Sequence, residues 1–312
     1  MSSTDSHADP ALTTPWKLPD EPTPGRGRRV APRSWLRTDA PRLSLNGSWA
    51  FRLHPVAHPE GLDETGAPIE PSFDTTDSSL GPWESIDLPA HWVLTGEGRR
   101  GLPAYTNVQY PIAVDPPFVP DANPTADHVR SFELPATWPL PRSAARRNAN
   151  PQHDTVDSIA NAARPPAAAP SARDYLRLEG VESFASVWVN GTWVGSTQGS
   201  RLPQELDVTG LLHPGRNTVA LRVSQWSPGT YLEDQDQWWL PGVFRDVELL
   251  HRPANGIEDV WVRSDYDPAT GTGSLDVEVT GSFAAFPVEV TVPGLGRSAR
   301  LPGPGTRHLE VG

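Results

Sequence analysis

Short runs of alternating apolar and polar residues recur along the chain, and a 3.6-residue helical period is hard to find. Leu45–Leu53, Trp83–Leu88, Val129–Leu134, Tyr175–Glu179 and Phe184–Val189 all have the pattern of half-buried strands. Thr218–Val223 and Val243–Leu250 add two more. Asn190-Gly191 separates Val187-Trp188-Val189 from Trp193-Val194. Both turn residues tolerate the positive φ angles of a type I′ turn, so a tight hairpin is predicted there. Many short strands punctuated by Gly and Pro predict an all-β fold, a jelly-roll sandwich over residues 44–252.

Two segments break this pattern. Residues 1–43 are rich in Pro and Arg with little apolar content, and read as an extended N-terminal arm. Pro141 to Ala172 is dominated by Ala, Arg, Asn and Pro, and reads as a disordered insertion in one loop of the sandwich. Neither is expected to carry chemistry. From residue 253 to 312 a second series follows: Ile257–Ser264, Gly273–Thr280, Pro287–Val292 and Arg307–Val311. Its strands and turns fit the start of an immunoglobulin-like sandwich. Such a sandwich uses about seven strands and ~100 residues, so the second domain is expected to be incomplete.

Composition narrows the function classes. The chain has no cysteine, which excludes a disulfide framework, a zinc–thiolate site and a cysteine nucleophile. A formal net charge of -12 argues against nucleic acid or an anionic membrane as partner. No apolar run reaches the ~18 residues of a spanning helix, and the polar N-terminus lacks the apolar core of a signal peptide. A cytoplasmic location is the resulting expectation. The chain carries 12 Trp, rings that serve as large core residues or as amphipathic binding surfaces.

Phosphate loops, His-Glu-x-x-His and Gly-x-Ser-x-Gly signatures do not occur in the sequence. Two segments stand out instead. In Tyr231-Leu232-Glu233-Asp234-Gln235-Asp236-Gln237-Trp238-Trp239, an extended backbone would place Asp234 and Asp236 on one face and Glu233 on the other. Carboxylates beside tryptophans suit a sugar site or a hard cation, and equally a solvated acidic turn beside core rings. The second is Tyr105-Thr106-Asn107-Val108-Gln109-Tyr110-Pro111-Ile112, followed by Asp115-Pro116-Pro117-Phe118-Val119-Pro120. Its prolines predict a stiff extended loop, either a binding loop or a cover over one sandwich edge.

These segments belong to an ordered series. Leu45-Asn46-Gly47-Ser48-Trp49-Ala50-Phe51 comes first, then Leu88-Pro89-Ala90-His91-Trp92, then Tyr105 through Pro111. Pro116 through Pro120 with Asn123-Pro124-Thr125 follows, then Val189-Asn190-Gly191-Thr192-Trp193-Val194-Gly195 and Ser200-Arg201-Leu202-Pro203. Tyr231 through Asp246 closes it. In this series the chain resembles the N-terminal part of glycoside hydrolase family 2, most closely the bacterial β-galactosidases, over about residues 35–260.

The resemblance implies a jelly-roll sugar-binding domain followed by an immunoglobulin-like domain. The TIM barrel that carries the two glutamates of retaining hydrolysis is absent from this chain. The chain alone is therefore expected to be inactive and to hold no catalytic residue. Asn107 matches the family's Asn that hydrogen-bonds sugar hydroxyls. Asp236 matches the Asp that contacts the galactosyl group and ligates a sodium ion. A magnesium ion is left open: Gln198 matches one ligand of that site, whereas Pro228 stands where well-known members carry an Asp. The implied partners are a β-galactoside and either the missing barrel or a complementary chain; a homo-oligomer is left open. The competing readings are a stand-alone carbohydrate-binding module and one chain of a split glycosidase. Thr106-Asn107-Val108 with Glu233-Asp234-Gln235-Asp236 favours β-galactosidase over β-glucuronidase or β-mannosidase.

Overall fold

A computed structural model describes residues 22–31, 37–64, 68–107, 109–140, 172–233 and 235–310. Most of the insertion expected over 141–172 lies outside the described residues, and so does Asp234. The described chain is built almost wholly of antiparallel strands, in two compact units.

The first unit starts with β1 (Arg42–Ser44), β2 (Gly47–His54), β3 (Glu84–Leu88), β4 (Ala90–His91), β5 (Ala104–Thr106) and β6 (Thr125–Leu134). It continues with β7 (Arg173–Leu178), β8 (Val181–Glu182), β9 (Phe184–Val189), β10 (Thr192–Gln198), β11 (Gln204–Asp207) and β12 (Gly215–Ser224). One helical turn, α1 (Thr230–Glu233), precedes β13 (Gln237–Trp239), β14 (Gly242–Val243) and β15 (Val247–Arg252). A six-stranded sheet in the order β10-β9-β12-β6-β2-β3 faces a four-stranded sheet in the order β1-β15-β7-β11. β1 begins at Arg42, so the strand register enters the segment expected to be arm.

Alternation builds the core. Trp49 and Phe51 of β2, Val187 and Val189 of β9, and Val219, Leu221 and Val223 of β12 point inward. They meet Leu176 and Leu178, Leu206, and Val247 and Leu249 of the opposite sheet. Removing this much apolar surface from water is the main favourable contribution to the sandwich. The intervening residues Ala50, Val129, Trp188 and Ala220 form a second apolar layer on the outer face, against Phe73, Trp83 and Trp193. The central strand β9 is therefore buried on both sides. Asn190 and Gly191 take φ angles of 50° and 74° between β9 and β10, the geometry the hairpin requires.

Residues of the arm lie along the sheet edges. Arg26 exchanges backbone hydrogen bonds with Ser196, and the Arg28 amide donates to Val194, both on β10. The Val30 amide donates to Glu205, and the Asp207 amide donates to Arg28, on β11. One extended segment thus covers an edge of each sheet, where unpaired backbone groups would otherwise stand.

The second unit contains β16 (Ile257–Asp267), β17 (Thr272–Gly281), β18 (Val288–Val292), β19 (Arg297–Leu301) and β20 (Gly305–Glu310). β17 pairs with β16 on one side and β20 on the other, while β18 and β19 form a hairpin. Val277, Val279, Leu301 and Leu309 make a small core, joined by Leu275, Phe286, Val290 and Ala299. Five strands appear where the sequence pattern predicts four. Arg297–Leu301 alternates too weakly to be read as a strand, and it is held by its pairing with β18.

Candidate functional site

The two segments singled out in the sequence form one structure. β5 and β13 pair antiparallel, with Tyr105 opposite Trp238, Thr106 opposite Gln237 and Ala104 opposite Trp239. Trp239 is the buried anchor of this ribbon: its indole packs edge-on against Trp226, and its Nε1 donates to Thr106 Oγ1 at 2.7 Å. Further contacts join the flanking loops. Tyr110 donates its hydroxyl to the Tyr231 carbonyl at 2.8 Å, and the Tyr231 hydroxyl reaches the Phe118 carbonyl at 2.6 Å. Asn123 accepts from the Trp226 amide and donates to the Trp226 carbonyl, both at 2.9 Å. Several motifs of the series are therefore the parts of one loop scaffold.

On this scaffold Asn107 and Asp236 are both exposed. The Tyr105 hydroxyl donates to Asp236 Oδ1, and the same hydroxyl feels the nearby Asn107 side chain, which pulls its pKa slightly down. Donation to the Asp236 carboxylate raises the phenol above its ordinary pKa. Trp238 packs against Tyr105 with ring centroids 5.4 Å apart, and each ring stays about half exposed. Exposed aromatic faces beside polar acceptors are chemically suited to a sugar, whose ring offers C–H faces and hydroxyls together.

The turn before this ribbon differs from the extended reading. Thr230–Glu233 is helical, closed by the Leu232 and Glu233 amides donating to the Gly229 carbonyl. The turn directs Glu233 inward, where its carboxylate accepts from the Ser200 amide at 2.9 Å and from the Ser200 hydroxyl at 2.5 Å. Glu233 is thus a clasp on the Ser200-Arg201-Leu202-Pro203 loop. The neighbouring Arg201 pairs with buried Glu182 at 2.7 Å, and Glu182 also accepts from the Leu240 amide at 3.2 Å. Burial pushes the Glu182 carboxyl above its usual range, with Arg201 pulling it back.

The donor sets bear on the two ions differently. Sodium takes oxygen ligands. Asp236 is exposed, with Oδ1 committed to Tyr105 and Oδ2 turned to no described neighbour by a hydrogen bond, so it fits as a single ligand. Among the described residues no three His, Cys, Asp or Glu converge as a metal cluster. For magnesium the described residues do not fit. Pro228 offers no carboxylate, and Gln198 Oε1 already accepts from the Gly229 amide at 3.3 Å.

Sequence reasoning nominated Asn107 and Asp236 and set the Trp238-Trp239 pair beside the carboxylates of a sugar site, but it singled out neither Tyr105 nor the Ser200–Glu233 clasp. Tyr105 and Trp238 carried a readable signal. Tyr105 lies two residues before Asn107 and Trp238 two after Asp236, the spacing that places side chains on one face of a strand. The clasp carried none, because it depends on a helical turn inside a polar run.

The sequence profile described as "Glycosyl hydrolases family 2, sugar binding domain" matches residues 43–159 and 160–253. The chain belongs to glycosyl hydrolase family 2. The match covers nearly all the strands of the first unit, including both loop segments of the ribbon, but not its N-terminal arm. Among relatives, a β-galactosidase of Arthrobacter sp. (strain B7) is 47% identical over 281 residues, covering 88% of this chain and 24% of that protein. A β-galactosidase of Pseudoalteromonas haloplanktis is 37% identical over 241 residues, covering 77% of this chain and 19% of that one. The chain thus spans about a quarter or less of these family 2 relatives. Among solved structures, a β-glucuronidase from an uncultured Clostridium sp. superposes with a TM-score of 0.51 over 90% of this chain and 41% of that one, at 15% identity. A Ruminococcus gnavus β-glucuronidase in complex with uronic deoxynojirimycin gives 0.51 over 88% of this chain, at 17% identity. At such identities the likeness is one of fold. The described residues contain no TIM barrel, and no helix among them is long and apolar enough to cross a membrane.

Proposed function

We propose that this chain is the sugar-binding portion of a retaining β-galactosidase, supplying loops to the galactose subsite of a catalytic barrel outside the chain. The observation that carries this reading is the β5–β13 ribbon, which holds Asp236 on the Tyr105 hydroxyl and brings in Asn107, two residues after Tyr105, on the adjoining strand end. Similarity to the Arthrobacter β-galactosidase over 88% of the chain supports the same substrate class. Asn107 donates or accepts a hydrogen bond at a galactosyl hydroxyl. Asp236 accepts from hydroxyls and supplies one carboxylate oxygen to a sodium ion, which when bound would hold a sugar hydroxyl in place. Proton transfer and nucleophilic attack belong to the barrel's glutamate pair, which lies about 5 Å apart in retaining enzymes. The partners are accordingly a β-galactoside and the barrel, joined in one polypeptide or supplied as a second chain.

The test is an assay with a chromogenic β-galactoside. The 312-residue chain alone should give no turnover, and the enzyme assembled with its barrel should be active. In that enzyme Asp236→Asn should lower kcat/KM by about 30- to 1,000-fold, the effect of losing one charge-assisted contact. Wild-type kcat/KM and an unchanged sodium response in Asp236→Asn would refute the assignment.

A further inference from the structure

Asn107 and Asp236 come from segments more than a hundred residues apart, and both are exposed. Exposed side chains on loops sample several rotamers, and ligand binding must then bear the cost of fixing each one. Three observations place Tyr105 where it removes that cost for Asp236. Its hydroxyl donates to Asp236 Oδ1 and so restrains the carboxylate. Its backbone is fixed in β5, directly opposite Trp238 of β13. Its ring is fixed against the Trp238 indole, at a centroid distance of 5.4 Å.

We infer that Tyr105 is a positioning residue, holding Asp236 in the orientation that receives a galactosyl group beside Asn107. By taking Oδ1, Tyr105 directs Asp236 to meet its ligand through Oδ2. Asp236 gains order from a group that need not touch the substrate. The inference rests on Asn107 and Asp236 being sugar contacts, as proposed above.

The experiment compares Tyr105→Phe, Asp236→Asn and the double variant in the enzyme assembled with its barrel. Binding of a non-hydrolysable thio-β-galactoside is read by calorimetry, beside kcat and KM for a chromogenic substrate. Tyr105→Phe keeps the ring and its packing and deletes only the hydroxyl. It should weaken thiogalactoside binding and raise KM by about 5- to 20-fold, with kcat changed by less than about 3-fold. That is less than the roughly 12- to 150-fold full worth of a hydrogen bond to a charged group, because Tyr105 acts through Asp236. In the Asp236→Asn background the same change should cost less than about 2-fold, because the two residues act as a unit. Wild-type binding in Tyr105→Phe beside impaired Asp236→Asn would overturn the positioning role and leave the galactose site standing. Fully additive losses would overturn it as well, since a purely structural defect does not depend on Asp236. If Asp236→Asn itself bound the thiogalactoside normally, the underlying site would fall and this inference with it.

Discussion

Arg222 and Asp127 lie directly opposite each other on β12 and β6 and form a bidentate ion pair, Nε to Oδ1 at 2.8 Å and Nη2 to Oδ2 at 3.0 Å. Both side chains are out of solvent. His54 reaches Asp127 at 2.9 Å and Arg52 at 3.5 Å, while Glu60 from the covering loop takes the outer edge of Arg222 at 2.7 Å. The outer face of the six-stranded sheet is therefore tied to the residues that cover it by charge as well as by Phe73 and Trp83. Removing one member strands the others without water, which is more damaging than never having built the pair. Asp127→Leu should destabilise the chain by about 3–5 kcal/mol, read as the shift of the urea midpoint at constant slope. A loss below about 1 kcal/mol would mean that water enters and solvates the arginines.

Two buried groups set the acid side of the stability profile. Burial pushes Asp127 up, but Arg222 and then His54 outweigh it and hold the carboxyl well below its ordinary range. Its contribution is present above the unfolded pKa of about 4 and is lost as pH falls below that value. His128, packed against Phe51 and Trp92, is lowered by burial to about 4. The unfolded histidine takes up its proton near pH 6.5, so stability declines from there down to about pH 4, by on the order of 3 kcal/mol. His128→Leu should flatten the decline between pH 6.5 and 4.5 and leave the steeper loss below pH 4 in place. Urea unfolding at a series of pH values measures both segments of the curve.

The same residues explain what the sequence could and could not disclose. Phe184–Val189 and its Asn-Gly turn were legible because period-two alternation and positive-φ residues are local properties. The first half of β6 was not: Asp127 and His128 are polar by type yet fully buried, so the strand starts at Thr125 rather than at Val129. β11 holds one core residue, Leu206, among Gln204, Glu205 and Asp207, too few positions for any period to show. β5 and β13 have three residues each and exist through their mutual pairing. Asn107 and Asp236 were found through motifs, and the Tyr105 hydroxyl that holds Asp236 only through three-dimensional contact.

The arm's attachment rests on close backbone approach rather than on apolar contact. A Cβ at Gly195 would stand 2.4 Å from the Arg26 carbonyl oxygen and 3.0 Å from Leu206 Cδ2. Gly27 holds a φ of +76°, and a Cβ there would stand 2.5 Å from the Val194 carbonyl oxygen. Either contact forces the backbones apart and frees amides that now pair with β10. Gly195→Ala should lower stability by about 1–3 kcal/mol and raise amide exchange at Arg26 and Arg28 before the central strands respond. Global loss of protection with no earlier change at those two amides would show that the arm is not a separable clamp.

Asn107 offers the sharpest separation between a sugar contact and a loop-stiffening residue. It directly follows β5, so a plain loss of activity in Asn107→Ala would fit either role. A neutral hydrogen bond contributes about 0.5–1.5 kcal/mol, so in the assembled enzyme the substitution should lower kcat/KM by about 3- to 12-fold, less than Asp236→Asn. Deoxygalactosides divide the two roles. If Asn107 meets a hydroxyl of the sugar, the substrate lacking that hydroxyl should already have lost the contact, and Asn107→Ala should then cost it less than about 2-fold. The other deoxy substrates should keep the full penalty. An equal penalty on every substrate would assign Asn107 to holding the loop, and would move the sugar contact to another residue of the β5–β13 ribbon.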